Sequence, residues 1–271
     1  MTPASPTAVR DEEAAPAARE VVLRAEHIAK RYEAVVALAD ASITLRAGTV
    51  HGLVGDNGAG KSTFLKSLSG AVHADSGSLV IDGEAVVLRT PHDALAAGIE
   101  TVYQDLALVD TMNAYQNVFL GREELSRAGI LRFFGFLSDR SMRRQARAAL
   151  DELGIGIPSI KASVKQMSGG QRQCLAMARA ILWGKRIVIL DEPTAALGVR
   201  ETAQVVEVIK KLRDRGVAVL LVTHNMAQLE EIADYVTVMR LGRTIAHREM
   251  VDTPINDIVG LITGAIRPAA D

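Results

Sequence analysis

The sequence predicts an α/β fold: a mainly parallel β-sheet with an antiparallel β subdomain and an inserted helical subdomain. Wholly apolar strand candidates, such as IVIL at 187–190 and VAVLLV at 217–222, alternate with helical segments, which is typical of a parallel sheet covered on both faces. The stretch from about 113 to 168 instead shows helical periodicity with few strand signals. We therefore expect one domain over 21–265 that carries a helical insertion.

The individual elements follow from apolar patterns bounded by glycine, proline or polar residues. Before the insertion we predict, in chain order, strands VVLRAEHI, ASITL (41–45) and VHGLV (50–54), a helix KSTFLKSLSG stopped by Gly70, a hairpin GSLVIDGEAVVL (77–88) around Asp82-Gly83, a helix PHDALAAG opened by Pro91 and a strand IETVYQ (99–104). After the insertion we predict a strand RIVILDEP, a helix over 200–215, a strand VAVLLVTH, a helix MAQLEEIAD and a closing hairpin VTVMRLGRTIAHRE. Within the insertion, ILRFFGFL (130–137) is interpreted as subdomain core or, alternatively, as a contact surface for a partner.

Composition restricts the class of protein. The 271 residues, 48% of them hydrophobic, can form a large core, and the net charge of −1 gives no indication of nucleic-acid binding. Because Cys174 is the single cysteine, an intrachain disulfide is excluded. We expect Cys174 to be a small residue with which its helix packs against neighbouring elements. No apolar run approaches the roughly 18 residues of a membrane span, and residues 1–20 are expected to form a disordered tail without a signal peptide. We therefore expect a cytosolic protein.

A phosphate-binding loop is the clearest motif. The pattern G-x-x-x-x-G-K-S follows a predicted buried strand and opens a predicted helix, which is the context such a loop requires. Backbone N–H groups of the loop would face a nucleotide phosphate, Lys61 would reach the β- and γ-oxygens, and Ser62 would bind Mg²⁺. The predicted nucleotide-binding residues here are Gly55, Asp56, Asn57, Gly58, Ala59, Gly60, Lys61, Ser62 and Thr63.

Polar residues end three further predicted strands. In open α/β sheets ligands bind at these carboxyl ends, so Asp191 is a candidate Mg²⁺ ligand and Glu192 a candidate base that polarises the attacking water. His224 ends another strand and is predicted to contact the γ-phosphate. Gln104 ends IETVYQ and is predicted to join both the metal site and the catalytic residues. Tyr32 lies between two strand patterns, where its ring could stack on a base.

A second helix start with phosphate-binding character follows the insertion. In QMSGGQ, two glycines occupy the first turn of a predicted helix, although glycine is a poor helix former. A bare helix N-terminus binds anions, so one chain carries two predicted phosphate-facing helix starts. The phosphate loop alone leaves kinase, GTPase and ATPase open.

The sequence SGGQ resembles the signature motif of the ATP-binding cassette (ABC) ATPases. The order of motifs also matches that family: Tyr32, the phosphate loop, Gln104, the signature, Asp191-Glu192 and His224. The resemblance covers about 21 to 250. It implies a P-loop fold, ATP and Mg²⁺ as ligands, and two cassettes paired head to tail. In such a pair Ser168, Gly169, Gly170 and Gln171 would bind the γ-phosphate held by the partner's phosphate loop.

Within the family, NVFLGRE (117–123) and DEPTAALGVRE (191–201) are similar to ATPase subunits of bacterial importers of ribose, xylose, fructose and related monosaccharides. That resemblance implies a second cassette (itself or a separate subunit), membrane permease subunits at the cytoplasmic face, and indirectly an extracellular sugar-binding protein, with no nucleic acid. The groove for the permease would lie around Gln104 and the helical insertion, and apolar residues taken as exposed are expected to contribute: Phe119, Leu120 and Phe133.

One residue departs from the family pattern. The loop after the acid pair usually ends in an aspartate that helps to link the two ATP sites, and Ala195-Ala196-Leu197 is here followed by Gly198. The departure puts the strength of that link in doubt, but not hydrolysis, since Glu192 is present.

Three alternatives stay open at this point. An exporter subunit would carry the same catalytic residues, and a soluble ABC ATPase of translation or DNA repair usually has two cassettes or long coiled-coil insertions. A phosphate-loop kinase would leave the signature unexplained.

Overall fold

A computed structural model describes most of the chain, namely residues 19–126, 133–154, 156–157, 159–184, 186–195 and 197–266. The expected tail (1–20) lies almost wholly outside the described residues, as do residues 130–132 and Ala196. Among the described helices, none has the length and apolar character needed to cross a bilayer.

The described strands are those expected, with shifts at their ends. They are β1 Val21–Tyr32, β2 Val35–Arg46, β3 Val50–Gly55, β4 Ser76–Ile81, β5 Glu84–Ala85, β6 Ile99–Val102, β7 Ile187–Asp191, β8 Ala218–Val222, β9 Tyr235–Arg240 and β10 Arg243–Glu249. The first two strands are longer than their apolar patterns, because both pair antiparallel along almost their whole length.

The described helices lie on the faces of the sheet and in the insertion. They are α1 Lys61–Leu68, α2 Pro91–Ala96, α3 Ala114–Val118, α4 Asp139–Leu153, α5 Gly169–Trp183, α6 Val199–Asp214, α7 Met226–Ile232 and α8 Ile255–Thr263, with 3₁₀ turns at Val164–Gln166 and Met250–Asp252. As predicted, α2 begins at Pro91, and the Thr90 side chain caps it by accepting from the Asp93 N–H.

The sheet combines a parallel and an antiparallel half, in the order β5-β4-β1-β2-β10-β9-β3-β8-β7-β6. Strands β9, β3, β8, β7 and β6 run parallel, whereas β1 pairs antiparallel with both β2 and β4. The predicted closing hairpin is confirmed as β9 and β10. The prediction of a mainly parallel core with an antiparallel β subdomain is therefore confirmed.

The parallel register brings the functional loops to one edge of the sheet. Leu53 of β3 and Asp191 of β7 both pair with Val222, at the end of the intervening β8. On the other side of β7, Val102 of β6 pairs with Leu190. The segments that follow these strands therefore leave the sheet side by side.

Apolar side chains cover both faces of the parallel half. Along β7, Val188 and Leu190 enter the core under α5 and α6, whereas Ile187 and Ile189 enter the core under α1. This alternation explains why the strand is apolar at every position before its acids, since a sheet buried on both faces exposes neither set of side chains.

The structure corrects one expectation for the insertion and favours one of the two interpretations of ILRFFGFL. Phe119, taken as exposed, is fully buried because its ring packs edge to face against Trp183 at 5.3 Å between centroids. Phe133, expected to be exposed, is 85% exposed, and Phe134 and Phe136 are 68% and 59% exposed. The described part of ILRFFGFL thus supports the alternative interpretation, a surface, because its side chains are mostly exposed.

Candidate functional site

The phosphate loop joins β3 to α1 and leaves the helix start open. Gly60 takes the N-cap position with φ of 102°, a conformation that favours glycine, and no side chain caps the helix. A Cβ on Gly60 would lie 2.8 Å from the carbonyl oxygen of Ala37 and 2.9 Å from the side chain of Leu38. Glycine is therefore required by packing, and the uncapped N–H groups of α1 remain free to bind an anion.

Lys61 is the first residue of α1, and its ammonium group is held within the loop. Its Nζ donates to the carbonyl oxygens of Gly55 at 2.7 Å and Asp56 at 3.0 Å. Burial lowers the pKa of Lys61, whereas the nearby carboxylates, Glu192 first among them, oppose that shift. The cation is thus placed in a cleft with carboxylates on one side, where an incoming phosphate group would supply new acceptors.

The two acids at the end of β7 occupy different positions. Burial, followed by the charge of Glu192, raises the pKa of Asp191, and Lys61 partly offsets the shift. Glu192 has a left-handed backbone, with φ of 48°, and its N–H donates to the Val222 carbonyl oxygen at 2.9 Å. A non-glycine residue rarely adopts this conformation, and the bond to β8 fixes Glu192 in it.

The strained turn brings Glu192 to His224. Oε1 of Glu192 lies 3.2 Å from Nδ1 of His224, with the carboxylate side chain 23% exposed and the imidazole 66% exposed. The structure therefore joins two predicted catalytic residues that are 32 positions apart in the sequence. An exposed imidazole that orients a more buried carboxylate is suited to general base chemistry on a water molecule.

A supporting residue that the sequence analysis missed is Gln228, at the start of α7. Its Oε1 accepts from the hydroxyls of Thr194 at 3.0 Å and Thr223 at 3.2 Å. Its backbone N–H donates to Oδ1 of Asn225, which caps the helix. Thr194 follows Glu192 by two residues and Thr223 precedes His224, so one buried amide connects both catalytic segments. In the sequence, the one indication of this supporting role is that Gln228 lies in the predicted helix MAQLEE, which begins soon after His224.

Lys61, Asp191 and Glu192 line one cleft of about 560 Å³, whereas His224 and Gln228 are not among its lining residues. Its walls come from the phosphate loop, Gln104, Asp191 and Glu192, with Val35, Val36 and Ala37 of β2 on the remaining side. Ser62, Gln104 and Asp191 offer a hydroxyl, an amide and a carboxylate oxygen in the same cleft, which is a donor set that suits Mg²⁺. The described residues contain no group of three or more His, Cys, Asp or Glu that could hold a metal by itself. The donors therefore fit a Mg²⁺ ion whose remaining ligands are phosphate oxygens and water.

Tyr32 is not placed in this cleft. It is the last residue of β1, 43% exposed, and its ring lies 5.7 Å from Nζ of Lys30. Val35 and Val36 line the cleft instead and are 65% and 47% exposed. Tyr32 as a base-stacking residue stays a prediction, with these valines as neighbouring apolar surface.

The signature residues form a separate cavity. Ser168 caps α5: its Oγ accepts from the Gln171 N–H at 3.3 Å, and Oε1 of Gln171 accepts from the Ser168 N–H at 3.0 Å. This capping box explains the serine and the glutamine locally. The cavity, about 380 Å³, shares no lining residue with the phosphate-loop cleft. Among the described residues, the two predicted phosphate-facing helix starts therefore line separate cavities.

Comparison with known proteins identifies relatives over most of the chain. The model of the ABC transporter family matches residues 38–195. The fructose import ATP-binding protein FrcA of Rhizobium meliloti is 44% identical over 93% of this chain and 97% of its own length. The xylose/arabinose import ATP-binding protein XylG of Sulfolobus acidocaldarius is 40% identical over 89% of this chain and 94% of its own.

Solved structures share the fold. An ATP-binding cassette of an ABC transporter in its ADP conformation superposes with a TM-score of 0.75 at 22% identity, over 90% of this chain and 95% of that one. A dimeric cassette in a post-hydrolysis state with ADP and phosphate gives a TM-score of 0.71 at 23% identity, over 84% and 98% of the two chains.

Proposed function

The chain belongs to the ABC transporter family, and on that premise we propose that it hydrolyses ATP to power monosaccharide uptake through a partner membrane permease. The observation that carries the proposal is the cleft in which Lys61, Asp191 and Glu192 surround an uncapped helix start. Such a cleft can bind a nucleotide phosphate and activate water beside it.

The sugar class is supported by the relatives. FrcA and XylG, which have nearly the length of this chain, are named for import of fructose and of xylose or arabinose. The arabinose import protein AraG of Chromohalobacter salexigens is 42% identical over 90% of this chain but only 48% of its own length. We therefore infer an ATPase cassette whose cargo is a monosaccharide, selected by the permease and an extracellular binding protein.

The proposed reaction is attack of water on the terminal phosphate of ATP. Loop N–H groups and Lys61 would hold the phosphates, with Lys61 exchanging its present loop carbonyls for phosphate oxygens. Glu192 would accept the proton of the attacking water, and His224 would hold the carboxylate in position. Mg²⁺, held by Ser62, Gln104 and Asp191, would neutralise negative charge on the phosphates.

Two copies would complete the site. The signature cavity around Ser168 and Gln171 shares no lining residue with the phosphate-loop cleft of its own chain, and it lies at the glycine-rich start of α5, where the helix dipole favours an anion. A two-fold dimer places the same pair of surfaces together twice, so each phosphate loop meets the partner's signature. ATP would then lie between two chains, and its hydrolysis would remove the charge that holds them together.

The permease would bind at the cytoplasmic face of the membrane, near Gln104 and the insertion. The exposed aromatic residues Phe133, Phe134 and Phe136 are the apolar surface that the insertion offers for such a contact, in place of the buried Phe119. Leu120 is half-buried, so only part of its side chain is available for a contact with the permease.

Uptake by native cells tests this function. A chromosomal Glu192→Gln replacement is compared with the normal gene on a panel of labelled pentoses and hexoses. We expect uptake of one sugar to collapse while the others continue. Normal entry of every sugar, together with ATP hydrolysis by the purified normal protein, would refute the proposed import role and favour export or a soluble role.

A further inference from the structure

The side chain of Glu201 lies in a notch between two glycines. A Cβ on Gly170, in the first turn of α5, would lie 2.5 Å from Cγ of Glu201. A Cβ on Gly198, at the end of the loop that follows the catalytic acids, would lie 2.8 Å from Oε2 of Glu201. The missing Cβ of Gly170 therefore leaves room for this side chain, whereas a Cβ on Gly198 would require only a shift of its terminal oxygen.

The Glu201 carboxylate lines the signature cavity and has no polar partner among the described residues. Glu201 is half-buried in the first turn of α6 and lines the cavity together with Ser168, Gly170 and Gln171. Within the described part of the chain, no hydrogen bond or ion pair ends on it. The exposed Arg200 lines the same cavity but makes no such contact with Glu201.

The charge of Glu201 acts on its surroundings. Cys174 lines the same cavity, and burial, followed by the charge of Glu201, raises the pKa of its thiol to about 11. A negative charge in this cavity therefore disfavours a second one. A half-buried charge is screened by salt less than a fully exposed one.

We propose that Glu201 opposes closure of the ATP-bound pair of chains by repelling the terminal phosphate that enters the signature cavity from the partner. The inference rests on the proposed head-to-tail pairing and concerns regulation of that same site. Ser168 and the glycines attract the phosphate, while Glu201, in the same cavity, sets how much ATP is needed to close the pair. The fold thus weakens its own ATP-bound dimer, so that the dimer can reopen.

Dimer formation as a function of ATP concentration tests the proposal. The background is Glu192→Gln, which prevents turnover, and dimer is measured by light scattering. Adding Glu201→Gln removes the charge but keeps the size and polarity of the side chain. We expect the ATP concentration at half-dimerisation to fall about threefold or more, and the difference to shrink when salt rises from about 0.1 M to about 1 M.

Two further variants control the experiment. Glu207 is an exposed acid of the same helix that pairs with Lys210, so Glu207→Gln should leave the midpoint unchanged. Arg200→Gln removes a cation from the cavity and should raise the midpoint. This variant still tests the charge argument if Glu201→Gln does not fold.

The outcomes separate this inference from the proposed function. If Glu192→Gln binds ATP but never dimerises, the proposed pairing itself fails, and the inference with it. If Glu192→Gln dimerises but Glu201→Gln needs the same ATP concentration or more, Glu201 does not oppose closure, and the proposed function stands. A midpoint that falls equally with Glu207→Gln would also overturn the inference.

Discussion

Oε1 of Glu192 lies 3.2 Å from Nδ1 of His224, although the two residues follow different strands, β7 and β8. The contact depends on the left-handed backbone of Glu192 and on its N–H bond to Val222, which turn the carboxylate toward β8. Asp191, one residue earlier, lines the same cleft at the end of β7. One backbone reversal thus gives the two adjacent acids different surroundings.

We expect Glu192→Gln to retain ATP binding and to lower the hydrolysis rate by about 10²-fold or more, because the amide cannot accept the proton of water. Hydrolysis is measured by phosphate release and binding by calorimetric titration, with Glu207→Gln as a control. An unchanged turnover number would remove Glu192 from the role of base.

We expect Lys61→Ala to lose most of its affinity for ATP, since the cleft would keep the carboxylates of Asp191 and Glu192 without their nearest cation. The matched control is Lys66→Ala, an exposed lysine of the same helix. Equal affinities of the two variants in a calorimetric titration would contradict the assignment.

We expect stability to fall as the pH drops below about 6.5, because of a buried histidine. His51 is 4% exposed, its Nε2 lies 2.6 Å from Thr237 Oγ1, and burial followed by the charge of His247 lowers its pKa to about 3. Between about pH 6.5 and pH 3 the imidazole binds a proton in the unfolded chain but not in the folded one, so the free energy of unfolding falls as the pH drops through this range. By pH 5 the loss amounts to about 2 kcal/mol.

Urea unfolding at a series of pH values measures this loss. His51→Gln should flatten the pH dependence, whereas the exposed His92→Gln should leave it as in the normal protein. The histidine account is wrong if His51→Gln loses as much stability on acidification as the normal protein.

We expect Phe119→Ala to lower the free energy of unfolding by about 3–5 kcal/mol, because a fully buried ring that packs on Trp183 leaves a cavity. Phe133→Ala should change it by about 0.5 kcal/mol or less, since that ring is 85% exposed. Equal losses in chemical denaturation would contradict the burial of Phe119.

The strand ends were predictable because a doubly covered parallel strand is apolar until it meets solvent. This pattern located Asp191, Glu192 and His224, and the structure places two of them in contact. The supporting residue Gln228 was missed because its role depends on two threonines from separate loops, a relationship that one sequence does not show. The burial of Phe119 was missed for the same reason, since its ring packs against Trp183, 64 residues later in the chain.

The central claim is that one ATP site is built from two chains, and complementation between two inactive variants tests it most directly. Lys61→Ala removes the phosphate-loop cation, and Ser168→Arg blocks the signature. Each alone should be inactive, while co-expressed chains should regain about a quarter of normal hydrolysis, because half of the random pairs are mixed and each mixed pair has one intact site. As a control, pairing Lys61→Ala with a chain that carries both substitutions should restore nothing. Absence of activity in the mixed pairs, with both variants folded and dimeric, would contradict the account.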